Sequence, residues 1–222
     1  MRTKRRVFLV DDHPLFRDGL AQLLGKHGFE VCGQADSVAD ALAWFEAAAA
    51  AEKLPAAVIT DINLRRGRNG LELIKEAGVR FPGVPILVLS IYDESIYAER
   101  ALRAGAKGYI HKREPGRKVV EALHCVLEGG VHVSPDLSAL MVRQFLGADG
   151  KGRSPIERLT DRELEVFQSI GRGHTSRQIA QELHLDPKTI ETYRGRIKIK
   201  LSLKNATELH QHALRWLEGG RT

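Results

Sequence analysis

A chain of 222 residues, 43% apolar and 28% charged with a net charge of +6, has the composition of a globular protein with room for one large domain or two small ones. The basic amino-terminal stretch leads into an apolar run of only Val7–Val10, too short for a signal peptide, and no segment approaches the length of a membrane span; the cytoplasm is the expected compartment. Cys32 and Cys125 stand apart, with no CxxC or Cys/His cluster around them, which argues against a structural disulfide or zinc site and fits a reducing environment.

Along residues 1–130, strand and helix patterns alternate. Strands are expected in "RRVFLVDD", "FEVCGQAD", "AAVITD", "VPILVLS" and "KGYIHK". Each is followed by a helical pattern: "HPLFRDGLAQLLGKHG", "SVADALAWFEAAAAAEK", "GLELIKEAGVRFPG", "ESIYAERALRAGA" and "GRKVVEALHCVLEGG". Strict alternation predicts an α/β doubly wound five-stranded parallel sheet, its right-handed crossovers covering both faces. Ser37 opens an S-x-x-D cap, and Gly28, Gly105 and Gly129 stand where helices should stop. No G-x-G-x-x-G follows the first strand and no GxxxxGK[ST] occurs, so the phosphate cradle of a nucleotide-binding fold is missing.

Past Gly130 the pattern loosens. "VHVSPDLSALMVRQFLG" has room for one short helix, and Gly147–Pro155 has the Gly-rich polar composition of a linker. From Ile156 onward a small all-α domain is expected. Thr160-x-x-Glu163 and Thr175-x-x-Gln178 are capping boxes, Asp186-Pro187 caps a third helix, and Asn205 a fourth. The division is therefore 1–130, a linker over 131–155, and 156–222. Charge follows it: residues 151–222 carry 14 Lys and Arg against 9 Asp and Glu, while residues 1–150 carry 20 against 19. A polyanionic partner for the last third is the reading this asymmetry favours.

The first domain concentrates its chemistry at strand ends. The first strand ends on Asp11 and Asp12, the third on Asp61, the fourth on Ser90 and the fifth on Lys112. In a sheet of order 2-1-3-4-5 the first and third strands are neighbours, so the three carboxylates converge at the topological switch point. Packed carboxylates repel one another and raise each other's pKa unless a cation compensates. Oxygen ligands with room for water suit magnesium, and metal, ammonium and hydroxyl together suit the charge that develops in phosphoryl transfer. Taken singly, the same positions have plainer uses: Asp12 as a cap of the first helix, Asp61 in a turn, Ser90 and Lys112 at a solvated rim.

"LVDDH", "TDINL", "VLS" and "KGYIHK", in this order and spacing, resemble the receiver domain of two-component response regulators, from about Arg6 to Gly129. The resemblance implies that Asp61 accepts a phosphoryl group from a sensor histidine kinase. It also implies that Asp12 and Asp61 ligate Mg2+ with the Asn63 carbonyl, Asp11 acting through water. Lys112 then pairs with the phosphoryl oxygens, Ser90 moves towards the phosphoryl group, and Tyr109 turns inward. Three departures are visible. Arg65 stands where receivers commonly carry proline, and Gly70 lies nine residues after the acceptor rather than eight; Ile91 follows Ser90 where alanine is common. The Leu64–Gly70 loop bears on the lifetime of the phosphorylated state.

In the last domain, Ile190, Tyr193, Ile197 and Leu201 form one stripe of a helix, and Lys188, Glu191, Thr192, Gly195 and Ile199 the opposite face, flanked by Arg196 and Lys198. A recognition helix must bury one face, read bases with the other and meet phosphates at its edges. A basic helical appendage that docks protein is the alternative. "LTDRELEVFQSIGRG", "SRQIAQELHLDPKTIETYRGRIKIKL" and "NATEL" resemble the LuxR-type helix-turn-helix, and the whole chain resembles the NarL/FixJ class of response regulators. That resemblance implies a transcriptional regulator rather than an enzyme acting on an outside substrate. Its partners are then double-stranded DNA, RNA polymerase and a second copy of the chain on phosphorylation. Glu191, Thr192 and Gly195 match the base-reading positions, with Glu191 where lysine is frequent. Leu209, Ala213, Leu214, Trp216 and Leu217 share an apolar face on the last helix, which the family uses to dimerise. Two rivals are an aspartate-nucleophile phosphatase, for which Asn63 replaces the usual second aspartate, and a receiver that signals through protein contacts alone.

Overall fold

The computed structural model describes residues 5–64, 68–92, 94–145 and 155–218. The chain forms two compact units, Met1–Leu146 and Gly147–Thr222. The first is built from β1 (Arg5–Val10), α1 (Pro14–Lys26), β2 (Phe29–Ala35), α2 (Val38–Ala50), β3 (Ala57–Thr60), α3 (Gly70–Arg80), β4 (Ile86–Ser90), α4 (Glu94–Ala104), β5 (Gly108–His111) and α5 (Gly116–Leu127). All pairings are parallel, as the alternation of elements requires, and the strand order is β2-β1-β3-β4-β5. Every residue of β3 and β4 is buried, which is why these strands read as unbroken apolar runs rather than alternating ones. On one face Leu24, Leu87, Ala122 and Leu123 lie in a single cluster under α1 and α5. On the other, the Phe8 ring meets Trp44 at 4.3 Å and Phe45 at 5.0 Å.

Local signals sit where the sequence placed them. The Ser37 hydroxyl accepts the Asp40 N–H, and Gly28, Gly105 and Gly129 have positive φ just past their helices. Asp12 does not cap α1: the cap position is His13, with no side-chain cap bond, and Pro14 fills the first helical position. Cys32 and Cys125 are free thiols. The stretch after α5 has structure of its own. His132 bridges to Gly108 beside β5, the Ser134 N–H donates to the Glu94 carboxylate at 2.8 Å, and α6 runs from Pro135 to Phe145. The Gly-rich residues 147–154 and the arginine-bearing residues 65–67 lie outside the described residues.

The second unit comprises a 3-10 turn (Pro155–Arg158), α7 (Asp161–Gly171), α8 (Ser176–Glu182), α9 (Pro187–Lys200) and α10 (Ala206–Leu217). Both expected capping boxes form, at Thr160 with Glu163 and at Thr175 with Gln178, and Asp186 and Asn205 cap α9 and α10. Ile179, Ile190, Ile197, Leu209 and Phe167 are fully enclosed. The apolar face of α10 divides: Leu209 and Ala213 are buried, Trp216 packs edge-on against Phe167 at 5.6 Å, and Leu214 stays 39% exposed. Among the described residues no helix is long and apolar enough to cross a membrane.

Candidate functional site

β1, β3, β4 and β5 deliver their last side chains to one rim. β1 and β3 pair in register through Val10 and Thr60, so the residues that follow, Asp11 and Asp61, emerge side by side. Asp61 is 2% exposed. One of its carboxylate oxygens, Oδ1, accepts the Ile62 N–H and the Ser90 hydroxyl, each at 2.6 Å. The other, Oδ2, accepts from the Lys112 ammonium, also at 2.6 Å. The same ammonium reaches Asp11 Oδ2 at 2.6 Å and sits 4.5 Å from the centre of the Phe16 ring. Asp11 is fixed in turn: its Oδ1 accepts the His13 N–H at 2.9 Å, and its carbonyl accepts from the Arg17 guanidinium.

Electrostatics follow from this enclosure. Burial raises the Asp61 carboxyl above its ordinary value, while Lys112 and then Ser90 oppose the rise. Burial acting on Lys112 would lower its pKa, but Asp61 and Asp11 outweigh it, so the ammonium is held protonated. Asp61 and Asp11 thus share one lysine, while Asp12 lies against His13. Ligand atoms of Asp11, Asp12, His13 and Asp61 lie within 4.8 Å of one another, and these four groups could hold a metal ion. The charge left over and the predominance of oxygen donors fit a hard divalent cation. Asn63 follows Asp61 by two residues, half-buried in the loop that leaves β3. Tyr109 is turned inward, 1% exposed, its hydroxyl donating to the Tyr92 carbonyl at 2.8 Å.

Three residues that sequence reasoning gave no role belong to this rim. His13 shares the carboxylates, Phe16 underlies the lysine, and Gly70 approaches the acceptor's own backbone. A Cβ at Gly70 would meet the Asp61 carbonyl carbon and the Ile62 Cα at 2.9 Å, and the Asp61 carbonyl oxygen closer still. Its N–H donates to the Ile62 carbonyl at 2.7 Å. The only local signal for such an approach is glycine itself at the first position of α3.

In the second unit, Ile190 and Ile197 bury one stripe of α9, and Lys188, Glu191, Thr192 and Arg196 are exposed. Gly195 and Lys198 are half-exposed, and a Cβ at Gly195 would meet nothing within 4 Å. Ile199 is 80% exposed on the same face. Not every cation of α9 is directed outward. Lys200 donates to the buried Glu163 at 2.5 Å, and Arg194 to the Ser176 hydroxyl at 3.2 Å. Glu191 is itself engaged, its Oε1 accepting from the Ser176 hydroxyl at 2.5 Å, which ties α8 to α9. The Thr192 hydroxyl donates to the Lys188 carbonyl at 3.1 Å, so its methyl group and its remaining acceptor capacity are what it can offer outward.

Comparison with known proteins agrees with both units. The family model of the response regulator receiver domain matches residues 7–124, and that of the bacterial regulatory proteins of the luxR family matches residues 157–213. The oxygen regulatory protein NreC of Staphylococcus carnosus (strain TM300) is 30% identical over 215 residues, covering 95% of this chain and 97% of that protein. NreC of Staphylococcus haemolyticus (strain JCSC1435) is 31% identical over 215 residues with the same coverage. Among solved structures, a two-component response regulator of the LuxR family from Aurantimonas sp. SI85-9A1 matches with a TM-score of 0.57 and 28% identity. It covers 65% of this chain and 99% of its own. RcsB from Salmonella enterica serovar Typhimurium, bound to promoter rprA in the presence of a phosphomimetic, shares the fold at a TM-score of 0.59 and 23% identity, over 95% and 98% of the two chains. The chain belongs to the response regulators of the NarL/FixJ class, phosphorylation-dependent transcription regulators that pair a receiver with a LuxR-type DNA-binding domain.

Proposed function

We propose that Asp61 accepts a phosphoryl group from a sensor histidine kinase, and that this controls how α9 engages the major groove of DNA to regulate transcription. The reading assigns the receiver to 1–130, the linker to 131–155 and the DNA-binding domain to 156–222. It places the protein's work in the cytoplasm, with no outside substrate. The observation that carries it is the convergence of Ser90 and Lys112 on opposite oxygens of one buried carboxylate.

A carboxylate withdrawn from water attacks phosphorus without first shedding a hydration shell. One Asp61 oxygen forms the new P–O bond as the P–N bond of the kinase's phosphohistidine breaks. Lys112, held protonated between Asp61 and Asp11, is placed to follow the phosphoryl oxygens as negative charge moves onto them. Ser90 donates on the other side, and Tyr109 is held inward by its bond to the Tyr92 carbonyl. Asp12, Asp61 and the Asn63 carbonyl would hold Mg2+, with Asp11 acting through water. When bound, the ion neutralises charge developing on the phosphoryl oxygens. On α9, Lys188, Thr192 and Gly195 face the bases, Arg196 and Lys198 the phosphates. Glu191, bonded to Ser176, has one oxygen left to accept from a cytosine amino group. RNA polymerase and a second copy of the chain are the further partners.

The test is direct. Acetyl phosphate with Mg2+ should add a single phosphoryl group, read by intact mass, and Asp61→Asn should abolish it. Normal labelling of that variant would overturn the assignment.

A further inference from the structure

Among the described residues, His13 is the nitrogen ligand in the group that could hold a metal ion. Its Nδ1 lies 2.7 Å from Asp12 Oδ1 and 3.3 Å from Asp11 Oδ1, and it belongs to the group whose ligand atoms all fall within 4.8 Å. Two ligands in adjacent positions around an octahedral ion, each bonded at about 2.1 Å, stand about 3.0 Å apart. The imidazole therefore holds about the spacing of a ligand adjacent to Asp12, the neighbouring carboxylate that would bind the ion directly. The backbone keeps it there: the His13 N–H donates to Asp11 Oδ1 at 2.9 Å, and Pro14 fixes the chain immediately after it. With 59% of its side chain exposed, the ring packs in no core and has room to adjust to an ion.

We propose that His13 is a metal ligand, taking a position otherwise left to water, and that it shifts the site's preference from Mg2+ towards first-row divalent cations that favour imidazole, such as Co2+ and Ni2+. The chemistry is that of donor softness. Carboxylate, carbonyl and water suit Mg2+, whereas a neutral imidazole nitrogen adds affinity chiefly for the later transition metals. The inference rests on reading the rim as a metal site. It goes beyond that reading by naming a nitrogen ligand and the class of ion it selects.

The test uses the full-length, untagged protein with Co2+ or Mg2+ as the probe, in wild type, His13→Ala and Asp12→Ala. Calorimetric titration gives both dissociation constants. Proton NMR of the Co2+ form shows whether a histidine ring N–H resonance is carried far downfield by direct coordination. His13→Ala should weaken Co2+ binding about tenfold or more while leaving Mg2+ within about twofold, and should remove the shifted resonance. Equal losses for the two ions, or a spectrum unchanged by the substitution, would overturn the role of His13 while leaving the metal site standing. Failure of wild type to bind either ion, or binding indifferent to Asp12→Ala, would overturn the site and this inference with it.

Discussion

Gly70→Ala is the substitution for which the structure makes the largest demand. The added Cβ would lie 2.9 Å from the Asp61 carbonyl carbon and from the Ile62 Cα, and nearer still to the Asp61 carbonyl oxygen. Carbon atoms in contact prefer about 3.5 Å or more, so the two backbones must part by about 0.6 Å to satisfy the carbons alone. The oxygen requires more. All the opposing atoms are main chain, in a stretch whose neighbours Ile62 and Leu64 are themselves buried, so no flexible side-chain tip can yield. Forced overpacking of this kind costs about 1–3 kcal/mol, and a contact against backbone belongs at the upper end. The displacement falls on the acceptor, which must stay within hydrogen-bond reach of Ser90 and Lys112, both now at 2.6 Å. A shift approaching 1 Å in a reacting group costs about 100-fold in rate. Urea denaturation should show the receiver destabilised by about 3 kcal/mol. The initial rate of acetyl phosphate labelling, measured below the denaturation midpoint, should fall about 100-fold. Wild-type stability together with a wild-type rate would refute the argument, because the backbone would then have yielded without moving the carboxylate.

Other outcomes can be checked as simply. Binding of duplex DNA should weaken steeply with salt as counterions are released, and Lys188→Ala and Thr192→Ala should each cost about 1–3 kcal/mol if they meet base edges; isotherms at several salt concentrations would expose an error in either expectation. Burial alone would raise the Glu163 carboxyl, yet Lys200 and the Thr160 N–H together hold it below its ordinary value of 4.5. The stabilisation is therefore complete above that value and is lost as pH falls through the depressed one. Glu163→Gln should lower stability at pH 7 by about 1–3 kcal/mol and flatten the acid limb of a stability-versus-pH curve; an unaltered acid limb would place the linkage elsewhere. Phosphorylated protein should bind its operator at least about tenfold more tightly than unphosphorylated protein, a coupling of about 1.4 kcal/mol, and should sediment as a dimer. Equal affinity of the two forms would leave control to some step other than DNA binding.

The parallel sheet and the acidic rim were legible from the chain alone because each rests on local or topological rules. Apolar runs ending in Asp11, Asp12, Asp61, Ser90 and Lys112 say where strands stop. Alternation with helices leaves little choice but a parallel sheet whose strand ends share one edge. Caps were legible for the same reason, since Ser37, Thr160, Thr175, Asp186 and Asn205 act within three residues of themselves. Pairing across the fold was not. Counting charge over residues 151–222 treats Lys200 and Arg194 as cations for a polyanion, yet the structure directs them to Glu163 and Ser176, 37 and 18 residues away. Lys112 was expected at the rim, but not that it would divide itself between Asp61, 51 residues away, and Asp11 while resting on Phe16. The approach of Gly70 to the Asp61 backbone and the placement of His13 against two carboxylates belong to the same class. Hydrophobic period and capping chemistry act over one or two turns of chain and are written in the order of residues. Which charge meets which, and where two backbones touch, is settled only when distant segments compete for the same volume.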